Sequence, residues 1–415
     1  MDSYRSGRLF LDHVSLEDLA AKYQTPFYAY SKRRIVMNVR RIQEALDSAN
    51  NFFCYPVETN FSLGILKILC QLGTGFSVGN SEELQRVLKV GGDTAKIIFA
   101  GPGKSRESIA AAIAHNVYCI HAESWQELER IEEMAREANK VVPVGLRVNP
   151  GVETGAHPYL DYGATGSKFG LPFQEAVDAF RRVYMSPFME VTGVYYDVGS
   201  QILALDPFLE ASAKIMTLVD RLKDEGIIMK HVDVGGGIGV PYMRTGDMLS
   251  LMTWIRHVSI PVQKRGIRVI CEPGRSTLAD AGVLVTRVEY VKNSGGKRFL
   301  VVDAGMNDFI RTPMYGSQHT IKTVREGVGA RTERYDVVGP ISECADFFAR
   351  GRELPATAQG DLLAILDVGA YGFTMSSNYN SRNLLPEILV DGPKEMLIRK
   401  RQTLEQQIEN ERVAL

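Results

Sequence analysis

The sequence is poor in cysteine and arranges what it has without pairing. Five thiols in 415 residues stand at Cys54, Cys70, Cys119, Cys271 and Cys344. An odd, scattered set without metal-type spacing argues against a disulfide frame and gives no reason to expect zinc or another metal. No apolar run is long enough to span a bilayer, and the opening Met1 to Phe10 is polar, without the apolar core of a signal peptide. A cytoplasmic location is therefore expected. Charge of one sign is also missing: 48 basic residues are interleaved with 49 acidic ones. No electrostatic footprint for nucleic acid or an anionic membrane stands out, so a small ligand is expected. There is no repeat of solenoid period and no low-complexity linker.

The chain does have 45% apolar residues spread over a length sufficient for two domains. From Asn51 to Cys271, short β-branched or aromatic runs alternate with amphipathic stretches, as parallel strands joined by crossover helices require. The strands read as Phe52 to Val57, Gly75 to Val78, Lys96 to Ala100, Val117 to His121, Val142 to Val148, Val191 to Asp197, His231 to Val234 and Arg268 to Cys271. Eight is the number of a TIM-type (β/α)8 barrel. A doubly wound open sheet has the same periodicity and stays open as the alternative. Helices are expected over Ser81 to Val90, Ser124 to Asn139 and Pro207 to Glu225. Past Ser276 the texture changes to strands without long helices between them: Val283 to Val291, Phe299 to Val302, Arg334 to Val338 and Leu362 to Leu366. The expected organisation is thus an α/β barrel over 32–276 and a β-rich, barrel-like domain from 1–31 and 277–415. Tyr28 to Ser31 is expected to join the latter as a strand, a helix over Lys32 to Asp47 to lead into the barrel, and Lys394 to Glu409 to close the chain as a charged helix.

Barrel enzymes work where their strands end, so the residues following each strand carry the functional signal. After His231 to Val234 comes Gly235-Gly236-Gly237-Ile238-Gly239, where missing side chains let backbone N–H groups approach a phosphate. After Arg268 to Cys271 comes Glu272-Pro273-Gly274-Arg275, a carboxylate and a guanidinium at the same mouth. A glycine run alone is usually a turn, and a lone glutamate a surface charge; the two motifs together are specific.

Together with His157-Pro158-Tyr159, Lys168-Phe169-Gly170, Gly199-Ser200-Gln201, Asp303 to Asp308, Gly369-Ala370-Tyr371-Gly372 and Met375 to Asn380, these motifs resemble the alanine racemase-fold decarboxylases that use pyridoxal phosphate (PLP). Within that group the later segments are most similar to diaminopimelate decarboxylase. The resemblance runs from about Leu16 to near the C-terminus. It implies that Ser200, Gly235, Gly236, Gly237 and Arg275 surround the cofactor phosphate or adjacent substrate, with Tyr371 close by. It also implies that Glu272 faces the pyridine nitrogen, where a carboxylate keeps the ring protonated and able to accept electrons. Arg311, Tyr315 and Glu343 match positions that hold the far end of the substrate, and their charges suit an ammonium and a carboxylate. The plainer alternative is a structural ion pair between Arg311 and Glu343. A homodimer, with a site completed by the second subunit, is implied as well.

The sequence departs from the family at the reactive end. The family's cofactor lysine falls in Tyr-Ala-Val-Lys-Ala-Asn; here the stretch is Tyr55-Pro56-Val57-Glu58-Thr59-Asn60. A carboxylate cannot form a Schiff base, and Glu58 adds negative charge near the cofactor phosphate. Asp197 replaces the ring-stacking histidine, Ser342 the active-site cysteine, and Ser77 an aspartate. Cys344 lies about 7 Å along an extended chain from position 342, too far to stand in. Lys67, Lys104 and Lys168 are the candidate replacement lysines, and none is favoured by its context. Four changes at one site read as altered chemistry rather than drift. Glu58, Asp197 and Ser342 are the expected reactive positions.

Three functions follow. The first is a divergent enzyme, with PLP held noncovalently, acting on a diaminopimelate-like amino acid in a specialised toxin or antibiotic pathway of the tabtoxin kind. The second is a catalytically inactive binding or regulatory relative, and the third is ordinary lysine biosynthesis.

Overall fold

The computed structural model describes residues 2–47, 50–243, 249–327, 329 and 331–413. The chain divides into two units. One comprises Asn38–Val240 with Asp247–Ser276, the other Met1–Met37, Pro241–Gly246 and Thr277–Leu415.

The first unit is a closed parallel barrel, which excludes the open-sheet alternative. Its strands are β1 (Phe52–Pro56), β2 (Gly75–Val78), β3 (Ile97–Phe99), β4 (Cys119–Ala122), β5 (Val142–Asn149), β6 (Met189–Tyr195), β7 (His231–Asp233) and β8 (Arg268–Cys271). Each pairs in parallel with the next. Ile270 of β8 lies opposite Phe52 of β1, and this pairing completes the ring. Near-continuous burial along strands such as β2, β3 and β4 is what a parallel sheet covered on both faces requires. The crossover helices begin where side-chain oxygens can accept an otherwise unpaired N–H: Asn80 caps Ser81–Lys89 through Glu83 N, and Ser124 caps Trp125–Glu137 through Glu127 N. Asp206–Asp224 turns Phe208, Ile215, Met216 and Leu222 inward at helical spacing.

The second unit is built on Gly282–Ser294, which pairs antiparallel with Phe27–Ser31, Lys297–Val302 and Leu362–Leu366. Tyr28 to Ser31 does join this sheet, and Lys32–Ala45 follows as a helix. Beyond the expected strands, Phe347–Pro355 pairs with Thr332–Val338.

The expected C-terminal helix is corrected. Lys394–Arg399 is a strand paired antiparallel with Glu387–Asp391, and only Leu404–Ile408 is helical. Gly392-Pro393, with Gly392 at φ +61°, makes the hairpin turn, and the buried Glu387–Asp391 segment pairs in parallel with Phe27–Ser31. Sheet pairing overrides the charged, helix-compatible composition of Lys394 to Arg399. The short helix owes its start to a reciprocal box in which Thr403 and Gln406 cap each other's backbone N–H. Among the described residues no helix is long and apolar enough to cross a membrane.

Candidate active site

The glycine run after β7 is demanded by three strand ends packed against one another. A Cβ on Gly235, already at φ +64°, would lie 2.6 Å from Tyr196 O after β6. One on Gly236 would lie 2.3 Å from Glu272 O after β8, and one on Gly237 2.3 Å from Gly199 O. All three obstacles are backbone, which has no room to yield. The loops are also hydrogen-bonded: Glu272 N donates to Gly235 O at 2.6 Å, and Ile202 N to Gly237 O at 3.0 Å. Arg275 Nη2 donates to Ser200 Oγ at 2.8 Å, both residues being buried. The structure therefore brings Ser200, Gly235, Gly236, Gly237, Glu272 and Arg275 together, as the sequence suggested.

Glu58 reaches the same region. It lies in the single 3-10 turn Val57–Thr59 at the end of β1 and is exposed. That turn is pressed onto the Glu272 to Arg275 loop, since a Cβ on Gly274 would meet Thr59 Oγ1 at 2.2 Å and Pro56 at 2.8 Å.

Glu272 is 8% exposed. Its Oε1 has no donor among the described residues. Burial, then the neighbouring Asp233 carboxylate, raise its pKa well above the ordinary value, and a Ser77 hydrogen bond opposes them. Burial likewise pushes Asp233 up to about 7, against the Gly235 N–H it accepts at 3.0 Å. Two buried carboxyls this close favour holding one proton between them.

Asp197 is held by its surroundings rather than by Glu58. Its Oδ1 accepts from Gly199 N at 3.0 Å and its Oδ2 from Tyr195 Oη at 3.4 Å, with Arg147 Nη2 4.0 Å away. Burial raises its pKa, and Arg147 and the Gly199 N–H counter the rise. Arg147 was not singled out in the sequence. Its guanidinium lies over the rings of Phe169, at 4.5 Å, and Tyr195, at 4.9 Å, and pairs with Glu123 at 3.3 Å. Burial works against its charge, but Tyr195, Glu123 and Asp197 outweigh it and raise the pKa. The signal available was positional: an arginine near the end of a barrel strand, followed by Val148-Asn149-Pro150.

The remaining residues belong to the β-rich unit. Arg311 is buried, with its guanidinium 4.7 Å from the Tyr315 ring and 5.3 Å from the Tyr371 ring. Tyr371 has φ +54°, an uncommon conformation for a residue with a side chain. Ser342, Glu343 and Cys344 are exposed, and Glu343 accepts a hydrogen bond from Tyr379 Oη at 2.6 Å.

Two of the candidate replacement lysines, Lys104 and Lys67, are hydrogen-bonded elsewhere, and Lys168 is exposed. Lys104 Nζ is buried and donates to Gly101 O and His121 O, each at 2.7 Å, while pairing with Glu127 at 2.7 Å. Lys67 Nζ donates to Val90 O, and Lys168 Nζ lies 5.1 Å from the Phe169 ring.

Residues 32–279 match the model of the pyridoxal-dependent decarboxylases, pyridoxal binding domain. The chain belongs to that family. The chain is 43% identical over 404 residues to diaminopimelate decarboxylase of Pseudomonas aeruginosa, covering 97% of each. It is 41% identical over 407 residues to that of Neisseria meningitidis serogroup B, covering 98% of each. Its structure is similar to Helicobacter pylori diaminopimelate decarboxylase complexed with L-lysine, with a TM-score of 0.91 and 37% identity over 95% of this chain and 98% of that one. The m. jannaschii enzyme gives 0.94 and 32%, over 99% and 98%. The barrel mouth fits PLP at two of its three ends. The glycine cradle with Ser200 and Arg275 suits a phosphate, and the donorless Glu272 Oε1 suits a ring N–H. Position 58 supplies no amine for the aldehyde.

Proposed function

We propose that this decarboxylase-family protein binds PLP through noncovalent contacts alone and acts slowly on a diaminopimelate-like amino acid. The observation that carries the reading is the intact Gly235–Gly237, Arg275 and Glu272 arrangement beside Glu58. When bound, PLP supplies an electron sink for cleaving a bond at the amino-acid α carbon. Arg275, oriented by Ser200, and the backbone around Gly235 to Gly237 hold the phosphate. Glu272, whose Oε1 has no donor among the described residues, would accept the ring N–H. Position 58 offers no amine to exchange substrate and product on such a cofactor, so turnover would be slow. Arg311 and Tyr315, with Glu343, bind the distal carboxylate and ammonium of the ligand. The exposed run Ser342 to Cys344 is open to completion by a second copy, which supports a homodimer. The replaced reactive positions suit recruitment to a specialised pathway better than ordinary lysine biosynthesis.

The same replacements at Glu58, Asp197, Ser342 and Ser77 favour one other reading, a ligand-binding homologue without activity. Purified protein supplied with PLP and diaminopimelate separates the two. Carbon dioxide released in proportion to protein, and lost in Arg275→Ala, supports the enzyme. Saturable diaminopimelate binding without carbon dioxide supports the binding protein and overturns the enzyme.

A further inference from the structure

Two histidines meet inside the barrel because two glycines stand between them. Along one register row, His121 of β4 lies opposite Gly145 of β5, Gly145 opposite Gly193 of β6, and Gly193 opposite His231 of β7. A Cβ on Gly145 would lie 2.6 Å from His121 Cδ2, and one on Gly193 2.3 Å from His231 Nε2. With both side chains missing, the imidazoles cross the gap until their Nε2 atoms are 3.4 Å apart. Cys119, two residues before His121 and on the same strand face, adds its thiol. The three ligand atoms all lie within 4.8 Å of one another, and all three residues are 0% exposed.

We propose that Cys119, His121 and His231 form a binding site for one soft metal ion, Cu⁺ or Zn²⁺, in the barrel core. Metal–nitrogen bonds of about 2.0 Å place two imidazole nitrogens about 3.3–3.5 Å apart in tetrahedral or trigonal geometry, which the histidines already satisfy. Only the thiol must move. Cys119 Sγ lies 3.1 Å from Thr192 Oγ1, a hydroxyl placed to serve as a weak fourth ligand or to hydrogen-bond the bound sulfur. His231 also has an outer contact compatible with ligation. Tyr118 Oη is 3.5 Å from His231 Nδ1 and accepts from Arg268 Nη1 at 3.2 Å; its oxygen has a second lone pair for a protonated Nδ1, and in that tautomer Nε2 is left to a metal. His121 Nδ1 is buried without a hydrogen-bond partner among the described residues. One thiolate and two neutral imidazoles balance a monovalent ion completely, whereas a divalent one leaves a buried net charge, so Cu⁺ is expected to be held better. The ligands come from strands more than a hundred residues apart, so cysteine spacing in the sequence gave no hint of them. His121 also stacks on Tyr195 at 5.0 Å, the ring that carries Arg147 beside Asp197. The site therefore sits directly behind the candidate active site.

The test uses the full chain, expressed in medium supplemented with zinc or copper and, separately, refolded with each ion under reducing conditions. About one equivalent per chain is expected to survive exhaustive dialysis, with X-ray absorption giving one sulfur and two imidazole nitrogens around the metal. Cys119→Ser is expected to lower retention at least tenfold with an unchanged circular dichroism spectrum. Retention of less than a tenth of an equivalent by both routes would overturn the site, as would a shell of oxygens only. If Cys119→Ser does not fold, the absorption spectrum of the wild-type protein still decides.

Discussion

Arg275 donates to Ser200 Oγ at 2.8 Å, joining the loops that follow β8 and β6. The buried guanidinium donates to this hydroxyl, and the two loops it joins pack against the glycine run that follows β7. Removing the hydroxyl should loosen the charge without unfolding the barrel. Ser200→Ala is expected to weaken PLP binding roughly tenfold, the worth of one hydrogen bond to a charged group. Fluorescence titration with PLP checks it, with circular dichroism as the control for folding. Unchanged affinity would remove Arg275 from the phosphate site.

Gly236 is constrained more severely, because its missing Cβ leaves space that Glu272 O occupies. Gly236→Ala should cost about 2 kcal/mol or more, since a backbone carbonyl must be displaced. Urea denaturation measures the loss. A variant as stable as the wild type would show that the loops after β7 and β8 are not packed as described.

Glu58 is the one obstacle to covalent cofactor binding that lies in a single side chain. Glu58→Lys, combined with Asp197→His, is expected to produce a visible Schiff-base absorption band and tighter PLP binding. The Asp197 change carries a cost, because Arg147 loses an anionic neighbour. If the double variant folds but shows no band, position 58 does not face the cofactor aldehyde.

Much of this arrangement was readable in the sequence, for identifiable reasons. Gly75 to Val78 and Arg268 to Cys271 are strands to the residue, because buried parallel strands leave short apolar runs bounded by turns and helix caps. The site motifs were readable because they follow such strands. Arg147 was not, since its role depends on Phe169 and Tyr195 closing over it from other segments. The Lys394–Arg399 strand was hidden for a similar reason. Its conformation is set by Glu387–Asp391, whose own partner, Phe27–Ser31, lies more than 350 residues away. Spacing along the chain reports local structure, while partners supplied by distant strands leave no local trace.

Asp308 gives a pH dependence whose sign is fixed. Burial raises its pKa from 3.8 to about 7, although it accepts from Gly305 N at 2.8 Å and Asn307 Nδ2 at 2.9 Å. A carboxyl raised on folding contributes stability below its unfolded pKa and loses it as the pH climbs through the folded value. The protein should therefore lose stability between about pH 4 and pH 7 on this account. Asp308→Asn should remove that loss and melt higher than wild type at pH 8, with the advantage shrinking toward pH 4. The new amide is accommodated by rotating Asn307, whose Oδ1 has no partner among the described residues. Parallel melting curves across this range would contradict the assignment.

Binding without attachment is the central claim, and borohydride reduction of the PLP-loaded protein followed by peptide mass spectrometry tests it most directly. The account predicts saturable PLP binding that dialysis reverses, and no labelled peptide after reduction. A stoichiometric PLP label on Lys67, Lys104, Lys168 or any other lysine would contradict it.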